Sequence, residues 1–130
     1  MAARDEGEIF YTADSPYRAG DYFLGGEHKP VRGEFPTGAI RAISPLTGEI
    51  VWEHKLVTPP WAGVLSTGGG LVFGGTNEGN FFALDAVTGK DLWHFQTGEK
   101  IIANPISFGI EGKQYVSIIS GDALIVFGLD

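Results

Sequence analysis

The sequence contains no cysteine among its 130 residues, which excludes a disulfide scaffold, a cysteine-ligated zinc site and thiol catalysis. The lack of cysteine does not determine the cellular compartment, because many exported proteins also lack disulfides. Basic residues are few, since nine Lys and Arg stand against 16 Asp and Glu and leave a net charge of −7. An acidic chain of this kind is a poor ligand for nucleic acid or for an anionic membrane surface.

Long apolar runs and helical periodicity are also missing. No stretch approaches the ~18 apolar residues that span a bilayer, so no membrane span is predicted. The first residues, Met1–Glu8, contain no apolar signal-peptide core, so no signal peptide is expected there. The histidines His28, His54 and His94 have neither helical spacing nor a cysteine partner, and no metal site is predicted from them.

Glycine and proline are abundant instead, with 20 Gly and 7 Pro, and they separate short apolar segments by turns. The stretch Ala13–Thr37 is rich in both and is predicted to be a surface loop without strand or helix. We expect residues 1–37 to hold one strand at Ile9–Tyr11 and this loop, and residues 38–130 to form a regular β domain. The strands predicted in that domain are Ala39–Ser44, Ile50–Lys55, Gly63–Thr67, Leu71–Gly75, Asn80–Asp85, Asp91–Gln96, Pro105–Phe108, Tyr115–Ser120 and Leu124–Phe127.

An internal repeat indicates the architecture. The segment AISPLTGEIVW at Ala42–Trp52 recurs as ALDAVTGKDLW at Ala83–Trp93, with an offset of 41 residues. A period near 40 with several short strands is typical of β-propeller blades. In each copy Thr-Gly lies between two strands, where glycine suits a tight turn with positive φ. The repeat tryptophans, Trp52 and Trp93, are predicted to be structural and to pack between neighbouring blades.

The strand count predicts about two and a half four-stranded blades. Known propellers have at least about four blades, so this stretch of chain does not close a ring alone. Three alternatives follow: it is part of a longer propeller, several copies associate, or apolar blade faces stay exposed, which is unfavourable. The expected partner is therefore the remainder of a propeller or further copies of the same chain.

The repeat resembles that of quinoprotein dehydrogenases, which bind pyrroloquinoline quinone (PQQ) and whose repeat reads Ala-x-Asp-x-x-x-Gly-x-x-x-Trp. The second copy matches in full, whereas the first has Ser44 in place of Asp. Further segments are similar to the C-terminal blades of PQQ-dependent alcohol and methanol dehydrogenases, and they are Thr58–Gly63, Gly70–Gly75, Ala103–Ile106 and Gly112–Val116. The similarity covers the chain from Gly38 to its end and, more weakly, the stretch before it.

This resemblance implies an eight-bladed all-β propeller, with PQQ on the axis beside a calcium ion. It also implies a periplasmic alcohol dehydrogenase, in which a carboxylate base takes the alcohol proton as hydride passes to the quinone. The base and the calcium ligands lie in upstream blades of the family, so no catalytic residue and no metal ligand is expected in this chain. By itself the chain is expected to be inactive.

Two places in the sequence are candidates for contact with the cofactor. Trp61 matches a tryptophan that reaches the quinone from a late blade of the family, and a flat tricyclic quinone suits an aromatic neighbour or an indole N–H donor. Gly121, Asp122 and Ala123 lie where the family's chain passes near the quinone. The alternatives are a core or interface aromatic for Trp61 and a plain hairpin turn for Gly121–Ala123.

The carboxylates show no pattern of paired acid and base groups. We expect most of them to be solvated turn residues, and Asp85 to hold its turn by accepting backbone N–H groups. Two functions therefore stay open for the chain. It is either a segment of a PQQ-dependent dehydrogenase or a non-catalytic propeller scaffold that binds partners, and self-association is a way to complete either.

Overall fold

The structure is a computed structural model that describes residues 1–14 and 16–129. Every regular element in those residues is a β-strand, and neighbouring strands pair antiparallel. The strands are β1 Ala2–Asp5, β2 Glu8–Thr12, β3 Gly26–Pro30, β4 Thr37–Ile43, β5 Ile50–Leu56, β6 Leu65–Ser66, β7 Leu71–Gly75, β8 Asn80–Asp85, β9 Asp91–Gln96, β10 Ile106–Ile110, β11 Lys113–Ser120 and β12 Ala123–Leu129. Ser15, in the predicted loop, and Asp130, at the end of the predicted β domain, lie outside the described residues.

Ten of these strands form three successive sheets. The first has the order β1-β4-β5, the second β6-β7-β8-β9 and the third β10-β11-β12. The second sheet is a four-stranded antiparallel meander, which is the topology of one propeller blade. All-β propeller blades are therefore confirmed, as one complete blade between two three-stranded ones. Among residues 1–14 and 16–129 there is no helix long and apolar enough to cross a lipid bilayer.

Sequence patterns locate most strands of the repeat region. The strands β7, β8 and β9 begin and end at the predicted residues. The strand β6 is shorter than the predicted Gly63–Thr67, because Thr67 already closes the turn to β7. In that turn the Gly70 amide donates to the Thr67 carbonyl over 3.1 Å, and Gly70 has a φ of 81°.

The prediction of a loop without strands over Ala13–Thr37 was wrong in part. The strand β3 lies inside that stretch and pairs with β2, from Thr12 opposite Gly26 to Glu8 opposite Pro30. Its sequence, GEHKP, shows no apolar alternation, and four of its five residues are exposed. Backbone pairing with β2 and surface contacts across the hairpin, such as His28 on Phe10 and Lys29 over Tyr11, hold it as a strand. Proline at the end of an edge strand removes no ladder bond that the strand needs.

The strand β1 was also missed, because its sequence AARD shows no alternation. It pairs with β4, with Ala2 opposite Ile40. This pairing crosses the boundary predicted between residues 37 and 38. The division of the chain at that boundary remains a prediction.

The core lies between the sheets. Alternate residues of a strand point to opposite faces of its sheet, and β8 uses both faces. Phe81 belongs to a buried cluster that includes Ile101 and Val116, on the side of the third sheet. Its neighbour Phe82 belongs to a second cluster with Ile40, on the side of the first sheet. The central strands β7 and β8 of the middle sheet are therefore buried on both faces, whereas β9 at its edge is exposed.

The repeat tryptophans pack between blades, as predicted. The indole Nε1 of Trp52, on β5, donates over 3.0 Å to the carbonyl oxygen of Ala86, in the turn between β8 and β9 of the second sheet. The ring of Trp93, on β9, meets Phe127 of the third sheet edge-on, with 5.1 Å between centroids. Each tryptophan thus contacts the sheet that follows its own.

Candidate functional site

Five connections lie at one end of the strands, because successive antiparallel strands reverse direction. They are residues 6–36 between β1 and β4, 57–64 between β5 and β6, 76–79 between β7 and β8, 97–105 between β9 and β10, and 121–122 between β11 and β12. We call this end the loop face. The β2–β3 hairpin is part of the first connection and so leaves the sheets from the loop face.

Hydrogen bonds join the connections of the first and second sheets. The Thr58 hydroxyl donates to Glu78 Oε1 over 2.6 Å, and Asn77 Nδ2 donates to the Pro59 carbonyl over 3.1 Å. The hydrogen bond from Thr58 lowers the pKa of the Glu78 carboxyl, against a smaller opposing effect of burial. These bonds fix the segment that precedes Trp61.

The connection at residues 97–105 joins the second and third sheets on the same face. The Gly63 amide donates to Asn104 Oδ1 over 2.6 Å, and the Gly121 amide donates to the Lys100 carbonyl over 3.0 Å. A Cβ on Gly63 would overlap the Asn104 amide. The segment around Trp61 and the turn at Gly121 are therefore both anchored to this one connection.

Trp61 lies on the loop face with 60% of its surface exposed. The preceding Pro60 is buried and lies against Gly38, where a side-chain Cβ would overlap the proline ring. The guanidinium carbon of Arg4 lies 4.0 Å from the centroid of the Trp61 ring. Trp61 is therefore not part of the core of these blades, and its contact with a cofactor remains a prediction.

Gly121 and Asp122 form the two-residue turn between β11 and β12, closed by the pairing of Ser120 with Ala123. Gly121 has a φ of 55°, which suits glycine. All three candidate residues, Gly121, Asp122 and Ala123, are exposed. The segment is thus a hairpin turn on the loop face, and its contact with a cofactor remains a prediction.

Sequence reasoning missed two residues that shape this face. Asn104 belongs to a segment that resembles the family, but nothing in the sequence pairs its side chain with Gly63. Arg4 belongs to a strand without a recognisable pattern. Only the pairing of β1 with β4, Arg4 opposite Gly38, places it beside Trp61.

The structure supports the predicted role of Asp85 in its turn. Asp85 Oδ1 accepts from the amides of Val87 and Thr88 and from the Thr88 hydroxyl, over 2.7–3.0 Å. His54 Nδ1 lies 3.6 Å from Asp91 Oδ2, beside a cleft of about 530 Å³ that separates the outer strands of the first and second sheets. Within residues 1–14 and 16–129, no three His, Asp or Glu side chains are grouped to hold a metal ion.

The fold and the site together place the chain in the class of β-propeller proteins. Its blades present an exposed tryptophan among connections that are linked by hydrogen bonds. Residues 34–116 match the sequence model of the glucose/ethanol/alcohol dehydrogenase β-propeller domain, designated PQQ. Quinoprotein alcohol dehydrogenase PedE of Pseudomonas putida is 45% identical over 115 residues, which are 88% of this chain and 18% of that protein. A lanthanide-dependent methanol dehydrogenase of Methylacidiphilum fumariolicum is 41% identical over the same shares of both chains.

Solved structures give the same result. A quinohemoprotein alcohol dehydrogenase from Pseudomonas putida superposes with a TM-score of 0.80 at 26% identity, over 95% of this chain and 20% of that chain. A europium-containing methanol dehydrogenase superposes with a TM-score of 0.74 at 33% identity, over 92% and 22%. The chain belongs to the PQQ-type quinoprotein dehydrogenase family. It spans about a fifth of the length of the relatives it matches.

Proposed function

We propose that the chain is a C-terminal propeller segment of a periplasmic PQQ-dependent alcohol dehydrogenase and that its loop face forms part of the quinone-binding site. The observation that carries the proposal is the exposed indole of Trp61, held among connections from all three sheets. Trp52 and Trp93 instead pack between sheets. Trp61 is also more exposed than Trp93, at 60% against 40%, which supports its choice as the ligand contact.

The chemistry of the loop face fits a planar quinone. The indole Nε1 of Trp52 already donates to a carbonyl, whereas that of Trp61 has no protein acceptor among the described residues. Trp61 therefore offers both a ring face and a free N–H donor. The amide and carbonyl groups of the exposed Gly121–Asp122 turn are the second proposed contact.

Bound PQQ would supply the two-electron acceptor for alcohol oxidation. In this proposal Trp61 holds the quinone ring by contact or by its N–H group, and Gly121–Ala123 contribute backbone groups. No base and no metal ligand is assigned to this chain. The base, and the ligands of calcium or of a lanthanide, would come from the rest of the propeller, so the chain alone is proposed to be inactive.

A titration of the folded chain with PQQ, followed by tryptophan fluorescence, tests the role of Trp61. We expect saturable quenching in the wild type, and a loss of affinity of about threefold to tenfold in Trp61→Ala, because an aromatic contact is worth about 0.5–1.5 kcal/mol beyond area burial. Trp93→Phe is the matched control and should keep the wild-type affinity. Equal affinities of Trp61→Ala and wild type would contradict the proposal.

A non-catalytic scaffold is the second candidate. It is favoured by the aromatic residues of segment 6–36, several of which are solvent-exposed, including Tyr22 at 90% and Phe35 at 89%. Exposed apolar side chains grouped on one segment are typical of partner binding. A wild-type chain that shows no quenching by PQQ, but is monomeric and folded in sedimentation analysis, would favour the scaffold and exclude completion of a ring by self-association.

A further inference from the structure

The strand β1 brings a basic residue to the tryptophan of the loop face. Arg4 pairs with Gly38 of β4, and Gly38 is the residue against which Pro60 packs. The backbone of the first sheet thus holds Arg4 next to the segment that ends in Trp61. Their proximity follows from strand register, since neither residue is near the other in sequence.

The contact between the two side chains has the geometry of a cation–π interaction. The guanidinium carbon of Arg4 lies 4.0 Å from the centroid of the indole ring, well inside the ~6 Å limit for such contacts. Arg4 Nη2 is also 2.6 Å from Glu6 Oε1. The carboxylate thus holds the guanidinium while the guanidinium carbon lies over the indole ring.

We propose that Arg4 is a positioning residue for Trp61, and that Glu6 holds the Arg4 guanidinium for this role. An indole that is 60% exposed has few packing contacts to select one rotamer. A guanidinium held over the ring supplies that selection, and a lysine ammonium does so less well because it has no planar group to lie against the indole. This inference rests on the proposed function in one respect only, namely the identity of the ligand that the positioned indole would contact.

An ordinary surface ion pair is the competing explanation. Arg4 and Glu6 have side-chain exposures of 36% and 25%, and pairs of this kind contribute little to stability. In that case the ring of Trp61 would keep its order and environment when Arg4 is replaced. The two explanations therefore differ in the behaviour of the indole.

The indole N–H resonances of the folded chain separate these explanations. The protein has three tryptophans, so a ¹H–¹⁵N spectrum shows three indole signals, and Trp61→Phe assigns one of them. In Arg4→Gln we expect the Trp61 signal to shift and its heteronuclear NOE to fall, with Trp52 and Trp93 unchanged. Glu6→Gln should give a smaller change of the same kind, and Arg4→Lys should recover part of the NOE.

Arg18→Gln is the matched control, because Arg18 lies in the exposed part of segment 6–36 and should leave all three signals in place. An unchanged Trp61 signal and NOE in Arg4→Gln would overturn the proposal. A common shift of all three signals would overturn it as well, since it reports a general structural role. Failure of the wild type to bind PQQ would count against the proposed function and not against this proposal. The indole signals are recorded without added ligand, so they test the positioning role of Arg4 independently.

Discussion

At the scale of single residues, the two copies of the repeat close the same turn with different acceptors. Gly48 and Gly89 occupy equivalent positions, with φ of 77° and 72°, and each donates its amide to a carbonyl four residues earlier, at Ser44 or Asp85. The Asp85 carboxylate accepts three further bonds from Val87 and Thr88, whereas the Ser44 hydroxyl accepts one, from the Thr47 amide over 3.3 Å. The aspartate of the family repeat is thus explained by the turn it holds.

We expect Asp85 to make the stability of the fold depend on pH. Hydrogen bonds from Thr88 lower the pKa of its carboxyl, so its stabilising effect is present above the unfolded pKa and is lost as the pH falls through the folded one. Asp85→Asn keeps an acceptor but cannot ionise. We expect its melting temperature to lie below that of the wild type at neutral pH, with the difference shrinking below about pH 4.

The measurement is thermal unfolding by circular dichroism across that pH range. Glu49→Gln is the control, since it removes a carboxylate beside the equivalent turn of the first copy and should leave the pH dependence unchanged. A constant difference between Asp85→Asn and wild type at all pH values would contradict this role of the ionised carboxylate.

Only some residues of the candidate site can be predicted from the sequence. Trp61 and Gly121–Ala123 were selected by resemblance, and the structure puts both on the loop face. Arg4 and Asn104 could not be predicted, because their contacts with Trp61 and Gly63 join segments far apart in sequence. The contact of Arg4 depends on the register of β1 against β4, and that of Asn104 on the packing of two connections, and neither is evident from the residues themselves.

At the scale of elements, the blades are joined by tryptophans that lie on the next sheet. Trp52 packs on Gly89, where a side-chain Cβ would overlap the indole, and its Nε1 bonds to Ala86. The repeat predicted this packing because a large aromatic recurs with the period of the blade. The strands β1 and β3 were not predicted, because they have neither apolar alternation nor a copy in the repeat.

Alanine substitutions at the equivalent glycines Gly48 and Gly89 test how closely Trp52 of one blade packs on the next. Both substitutions place alanine at positive φ and should cost about 1–2 kcal/mol for that reason. Gly48 has open space around it, whereas Gly89 faces Trp52. We therefore expect Gly89→Ala to lower the free energy of unfolding by a further ~1–3 kcal/mol, as overpacking does.

Chemical denaturation of both variants provides the measurement, and Gly48→Ala is the control for backbone strain. Adding Trp52→Ala to each variant should remove the difference between them, because the overlap then disappears. Equal stabilities of Gly48→Ala and Gly89→Ala would show that the blades are not held together at this point.

At the scale of the whole molecule, three sheets share two interior layers, and their connections meet at one end. The period of the repeat predicted blades, but the order of strands within the outer sheets came only from the structure. The chain covers about a fifth of its relatives. Alcohol oxidation is therefore proposed to need a larger assembly, and the proposed contribution of this chain to it is the loop face with Trp61.

The central claim, that this face binds the quinone, is tested most directly by mapping amide and indole chemical shifts of the folded chain as PQQ is added. We expect saturable shifts at the Trp61 indole and at the amides of Gly63, Gly121 and Asp122. The turns of Gly48 and Gly89, at the end of the strands opposite the loop face, should show none. Shifts centred on those opposite turns, or no shifts at all, would contradict it.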